Sequence, residues 1–255
     1  VNTRRQFLTL GTMAGLAAAA APLMSFVPRP KQMNGIWQPR VFLFQGDSIT
    51  DGNRGRDNDP NHIMGHGYAF SIASRLGARL PESGLSFYNR GISGNTVADL
   101  QARWQKDTLD LKPDVLSLLI GVNDTERALQ QNDGAAAKAY EDGYRALLRQ
   151  TRAQLPHCLL VLCTPFIAPV GRVKGAWSNW QAAIKQKQDI VQQLAGEYNA
   201  VLVPLQQVFD EASRRAPAEY WIWDGIHPTV AGHELITQEW LKRVGERLPL
   251  LQALQ

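Results

Sequence analysis

The stretch VFLFQGDSITDGNRGRD, residues 41–57, opens with four apolar residues and then gives way to glycine, aspartate and serine. An unbroken apolar run of this length fits a strand covered on both faces, as in a parallel sheet. Open sheets of that kind bind ligands beyond the carboxyl ends of their strands. Ser48, set between Asp47 and Asp51, falls at such an end.

The same texture recurs at 85–91, 114–121, 158–163 and 200–205, which read as four more strands. Helical periods lie between them. Thr96 and Asp99 form a capping box ahead of Val97, Leu100 and Trp104. Tyr140, Tyr144, Leu147, Leu148 and Leu155 trace one apolar stripe, and Trp180, Ile184, Val191, Leu194 and Tyr198 another. Val230, Ile236, Trp240, Val244 and Leu248 trace a third, on the last helix. Alternating strands and helices predict a three-layer α/β/α sandwich with right-handed crossovers. Two Gly- and Pro-rich stretches, 51–66 and 164–178, read as long loops, which are commonly functional or mobile.

The chain has 255 residues, 44% of them hydrophobic, enough for one sizeable core. The formal charge of +4 is mild and contains no basic run, which argues against a nucleic-acid partner. Cys158 and Cys163, five apart on one predicted strand, would face opposite sides of the sheet and cannot bridge.

The first thirty residues read as an export signal. Thr3, Arg4, Arg5, Phe7 and Leu8 resemble the twin-arginine signal pattern, followed by an alanine-rich apolar stretch. The expectation is a signal over 1–30, recognised by the twin-arginine export machinery, and a domain over 31–255 that is periplasmic or secreted. A retained anchor is the alternative, but the weakly hydrophobic span favours cleavage, with no stable membrane anchor afterwards.

Each predicted strand is followed by a polar set: Gly46-Asp47-Ser48, Gly91-Ile92-Ser93-Gly94-Asn95, Gly121-Val122-Asn123-Asp124 and, past a helix after the fifth strand, Trp223-Asp224-Gly225-Ile226-His227-Pro228. Serine needs a base to become a nucleophile, usually an imidazole oriented by a carboxylate. Asp224 and His227, three apart in a glycine-containing turn, can supply both. Attack on an ester builds charge on oxygen, and the Ser48 and Gly94 N–H groups with the Asn123 amide are candidate donors to it.

These blocks, GDSIT (46–50), NRGISGNT (89–96), GVND (121–124) and DGIHP (224–228), resemble those of the SGNH, or GDSL-type, hydrolases. The resemblance implies a flavodoxin-like five-stranded parallel sheet. It also implies Ser48 as nucleophile, Asp224 and His227 as the rest of a triad, Gly94 and Asn123 completing the oxyanion hole, and no cofactor. Gly-x-Ser-x-Gly is absent, which argues against the α/β-hydrolase fold.

Other side chains read more plainly. Asp47 orders the nucleophile turn through backbone hydrogen bonds. Asp51, Asp57 and Asp59 beside it could suggest a metal, but no histidine pair shares a helix face nearby. Arg54, Arg56 and Arg90 read as solvated surface, His62 and His66 as loop residues, and His157 and His233 as structural. Trp177, Trp180, Trp221 and Trp223 read singly as core, although exposed members of the cluster could stack on a sugar. The expected activity is hydrolysis of short acyl esters, acetyl above all, on a small-molecule or polysaccharide substrate. A lipid esterase with PFIAPV (165–170) at its rim is the alternative, followed by a non-catalytic carbohydrate-binding scaffold.

Overall fold

A computed structural model describes residues 39–57 and 59–252. The N-terminal segment read as an export signal lies outside the described residues. The chain forms β1 (Val41–Gly46), α1 (Ser48–Asp51), α2 (Tyr68–Arg79), β2 (Ser86–Asn89), α3 (Val97–Trp104), β3 (Val115–Leu119), α4 (Val122–Gln131) and α5 (Ala136–Gln154). It continues through β4 (Leu159–Cys163), α6 (Trp177–Glu197), β5 (Val201–Val203), α7 (Leu205–Ala212), α8 (Ala218–Trp221), α9 (Val230–Gly245) and α10 (Pro249–Gln252). The strands form one parallel sheet in the order β2-β1-β3-β4-β5, the five-stranded doubly wound arrangement expected from the sequence.

The pleat sends alternate residues to opposite faces, and both faces are covered. Phe42 and Phe44 face Tyr68, Ile72, Ile236 and Trp240 from α2 and α9. Leu43, Leu116 and Leu160 face Leu100, Tyr144 and Leu147 from α3 and α5. Trp240 is fully buried, and its indole N–H donates to Ser117 Oγ at 3.0 Å; removing such a ring costs about 3–5 kcal/mol. Cys158 and Cys163 are buried free thiols in the two opposite clusters, as the pleat requires.

Three local readings change. The strand expected over 200–205 stops at Val203, because Pro204 has no N–H to continue the ladder. Val230 is 89% exposed; it is the first residue of α9, whose fully buried apolar stripe begins nearly two turns later at Ile236. The loop expected over 164–178 is short and ordered: residues 164–168 and Val170 are buried, Gly171–Ala176 forms a 3-10 turn, and α6 begins at Trp177.

Candidate active site

The site is assembled at the carboxyl edge of β1, β2 and β3. Gly46 closes β1 where a Cβ would lie 2.3 Å from the Leu119 carbonyl, so only glycine lets the strand turn there. Asp47 caps α1, its carboxyl accepting the Ile49 N–H at 3.0 Å. Ser48 is thereby the first residue of a single helical turn.

Ser48 Oγ lies 2.9 Å from His227 Nε2, and His227 Nδ1 lies 2.7 Å from Asp224 Oδ2. The other Asp224 oxygen accepts the N–H groups of Ile226 and His227, at 2.9 and 2.7 Å. Burial on its own would raise the Asp224 pKa, but these bonds and the imidazole hold it below the ordinary carboxylate value. An ionised carboxylate on Nδ1 fixes the tautomer in which Nε2 can accept the serine proton.

Residues 168–172 brace this turn from below. The Ala168 and Arg172 N–H groups donate to the Gly225 and Asp224 carbonyls at 2.9 and 3.1 Å. Gly225, at φ +95°, sits so close that a Cβ would lie 2.5 Å from the Val170 carbonyl. The Arg172 guanidinium reaches Glu126 at 3.1 Å and stands 3.8 Å from Asp224. The segment that reads as a functional or mobile loop is therefore the support of the Asp224–His227 turn.

On the opposite side lies the 91–95 loop. Gly94 has φ +81°, nothing stands within 4 Å of where its Cβ would be, and its N–H has no protein acceptor among the described residues. Arg127 donates to its carbonyl at 3.1 Å. The Asn123 amide, on the first turn of α4, donates to the Asn95 carbonyl at 3.0 Å, which leaves its second N–H for another acceptor. Arg103 ties the loop down, bonding Asn95 Oδ1 at 2.9 Å and the Arg90 carbonyl at 2.8 Å.

Asp51 links this loop to α1. Its carboxylate accepts the Ser93 N–H and hydroxyl at 3.1 and 3.0 Å and a bidentate Arg56 guanidinium at 3.0 and 2.7 Å. Burial opposes its ionisation, and the Arg56 and Ser93 bonds overcome that to lower its pKa. The acid that might have suggested a metal ligand spends its oxygens on protein donors. Asn89 completes the frame, donating to the Thr50 carbonyl at 2.7 Å and the Met64 carbonyl at 3.0 Å while accepting the Gly91 N–H at 2.9 Å.

The model of the GDSL-like lipase/acylhydrolase family matches residues 44–235, from β1 through the Ser48, Gly94, Asn123 and His227 blocks into α9. The chain belongs to that family. Among curated relatives, the acetylxylan esterase of Geobacillus stearothermophilus is 35% identical over 212 residues, covering 80% of this chain and 93% of the relative. The crystal structure of that acetylxylan esterase superposes with a TM-score of 0.71 at 33% identity, over 81% of this chain and 94% of the other. A protein of the GDSL-like lipase type from Parabacteroides merdae superposes with a TM-score of 0.77 at 40% identity, over 81% of this chain and 95% of the other. This GDSL hydrolase is accordingly a carboxylic ester hydrolase.

Around the site of the GDSL hydrolase, several side chains differ from their sequence reading. Arg54 is not solvated surface: only 9% of its side chain is exposed, and it donates to the Gly91 carbonyl at 3.0 Å. Burial, with Arg56 close by, lowers its pKa to about 10. Arg56 is half exposed but committed to Asp51, and Arg90 lies over the Tyr88 ring at 5.5 Å. Trp180 and Trp221 are core, whereas Trp223 is 63% exposed and stacks beside His227 at 6.5 Å between ring centroids. His233 is structural, its Nδ1 accepting the Tyr68 N–H at 3.1 Å, and burial lowers its pKa to about 4.

Two carboxyls of these strand-end segments prove to be buried, which the sequence does not foretell. Asp47 is fully buried, and desolvation, with Asp124 nearby, raises its pKa to about 7. Burial raises Asp124 to about 6 despite the Val97 N–H that it accepts at 3.1 Å; its second oxygen is out of solvent without a protein partner.

Proposed function

We propose that this protein is an exported serine esterase that removes acetyl groups from carbohydrate. The observation that carries the reaction is the continuous hydrogen-bonded series Ser48–His227–Asp224, open to an unoccupied Gly94 N–H. Ser48 Oγ attacks the acyl carbon while its proton passes to His227 Nε2. Asp224 stays ionised and stabilises the imidazolium. The tetrahedral oxyanion takes hydrogen bonds from the Ser48 and Gly94 N–H groups and the Asn123 amide. In preorganised sites each such donor is worth about 2.7–4 kcal/mol. His227 then protonates the leaving alcohol, the ester bond breaks, and water attacks the acyl-serine by the same steps in reverse order. The residues involved need no cofactor for this sequence.

The carbohydrate half of the reading is supported by the acetylxylan esterase relative and by Trp223, an exposed aromatic face beside His227. Aromatic rings with one apolar face and one wet edge suit sugar rings. A lipid site fares worse. Of the segment 165–170 that could rim it, all but Pro169 is buried, with Phe166 and Ile167 at 0% and 1% exposure. Export rests on the twin-arginine pattern at Arg4 and Arg5.

The test is acetate release from acetylated xylo-oligosaccharides, run beside p-nitrophenyl acetate, butyrate and decanoate. Rates that fall with acyl length and vanish in Ser48→Ala are expected. A rate that rises toward decanoate, or acetate release equal in Ser48→Ala, would overturn the reading.

A further inference from the structure

A cavity of 740 Å3 opens between α6 and α7 at the β5 edge of the sheet, and none of its lining residues is Ser48, Gly94, Asn123, Asp224 or His227. Its volume falls within the usual range for small-molecule sites, and it stands apart from the residues proposed to cleave the ester.

The chemistry of the lining is specific. Its charged groups balance and are already engaged: Lys185 with Asp189, Arg243 with Glu239, and Asp210 with the Gln206 amide. The polar groups left over are neutral. The amides of Gln181, Gln192 and Gln207 line the cavity with no protein partner among the described residues, and each carries both a donor and an acceptor end. Trp177, half-buried at the start of α6, adds an aromatic surface. At the inner end Thr164 is 6% exposed, and its Oγ1 is buried without a hydrogen-bond partner. Buried hydroxyls seldom stay unpaired, and this one lines the cavity.

A lining whose two cations and two carboxylates sum to zero charge gives no net attraction to a phosphate or a cation. Paired donors and acceptors with an aromatic ring match a ligand that carries many hydroxyls and apolar C–H faces. We propose that this groove is an accessory binding site for a neutral oligosaccharide chain, separate from the site of ester cleavage. Thr164 and Gln188 at its floor adjoin residues 165–172, since the Gln188 amide donates to the Pro165 carbonyl at 3.0 Å. An occupant thus rests against the segment that braces Asp224. The proposal goes beyond the esterase reading and needs no chemistry from Ser48.

The experiment is titration of unacetylated xylohexaose into 15N-labelled Ser48→Ala protein, followed by backbone amide shifts. Saturable shifts are expected at 177–192 and 206–207. Affinity should fall roughly tenfold in Trp177→Ala, the loss of about 1.4 kcal/mol, and roughly threefold in Gln181→Ala. Gln181 is exposed and makes no protein hydrogen bond, so the second variant keeps the test meaningful if the first fails to fold. Shifts confined to the Ser48 cleft, no saturable shifts, or equal affinity in Gln181→Ala and its parent would overturn the proposal. So would groove shifts that follow protein concentration instead of sugar, which would mark a contact between two copies. Because the probe carries no ester, a wild-type protein inactive on acetylated sugars would sink the esterase reading and leave this result standing.

Discussion

Asp51 accepts both the backbone N–H and the hydroxyl of Ser93, at 3.1 and 3.0 Å, and so fastens the helix that begins with Ser48 to the loop that carries Gly94. The proposed nucleophile and the proposed oxyanion donor are therefore held in register by a carboxylate bonded to Ser93 and Arg56 and not to His227. A donor displaced by even an ångström loses much of its worth to a transition state.

Asp51→Asn keeps the shape but exchanges one acceptor oxygen for a donor facing Ser93 or Arg56. We expect kcat for p-nitrophenyl acetate to fall roughly ten- to a hundredfold with little change in KM, a fraction of the effect of losing one oxyanion donor outright. Steady-state kinetics on the variant decide it, and wild-type kcat would show that the Ser93 link does not set the loop.

Asp224→Asn should leave the fold intact and lower kcat by about three to four orders of magnitude, because an amide at this position stabilises the wrong imidazole tautomer and no imidazolium. The loss should appear in kcat at every pH from mildly acidic to mildly alkaline. A loss of less than tenfold would mean that Asp224 does not orient His227 during the reaction.

The backbone bonds from Ala168 and Arg172 to the Gly225 and Asp224 carbonyls make residues 168–172 part of the scaffold. Native-state hydrogen exchange should therefore show both amides opening only at free energies near those of β4, with no ligand present. Fast exchange there would identify a moving lid instead. In the same region Gly225→Ala should cost about 1–3 kcal/mol of stability, since it forces a Cβ onto the Val170 carbonyl at φ +95°.

Asp47 sets a pH signature of stability. The unfolded chain ionises it near the ordinary 3.8, whereas the folded protein holds the proton until about 7. Its contribution is thus fully present below the unfolded value and is lost as pH rises through the folded one. Asp124, raised to about 6, acts in the same direction. Urea unfolding of Asp47→Asn and wild type should show the variant gaining on wild type as pH goes from about 4 to about 8. Parallel stabilities across that range would contradict a protonated Asp47.

The sheet was legible because its central strands β1, β3 and β4 are short apolar runs buried on both faces, and a parallel order demands helices between such runs. That the segments holding Ser48, Gly94, Asn123, Asp224 and His227 meet was legible because strand ends in such a sheet share one edge. The bracing role of 164–176 was not. Its prolines and glycines carry no period, and Phe166 and Ile167 are buried by tertiary contacts with α6 and α7 that no local pattern encodes. Arg54 escaped for a related reason: an arginine's burial depends on acceptors such as the Gly91 carbonyl, which come from distant sequence. Asp51 lay in plain view one turn after Ser48, and its partners Arg56 and Ser93 were visible only once the loop positions were known. Trp223 adjoins Asp224 in sequence, but its exposure follows from the Ile222–Pro228 bridge, which pins the base of the turn.

The central claim is that Ser48 carries the acyl group. The most direct measurement is rapid acid quench of the enzyme during turnover of p-nitrophenyl acetate, followed by peptide mass spectrometry. The account predicts one acetyl group on the peptide containing Ser48, located on the serine oxygen and absent in Ser48→Ala. An acetyl on another residue, or continued turnover by Ser48→Ala, would contradict it.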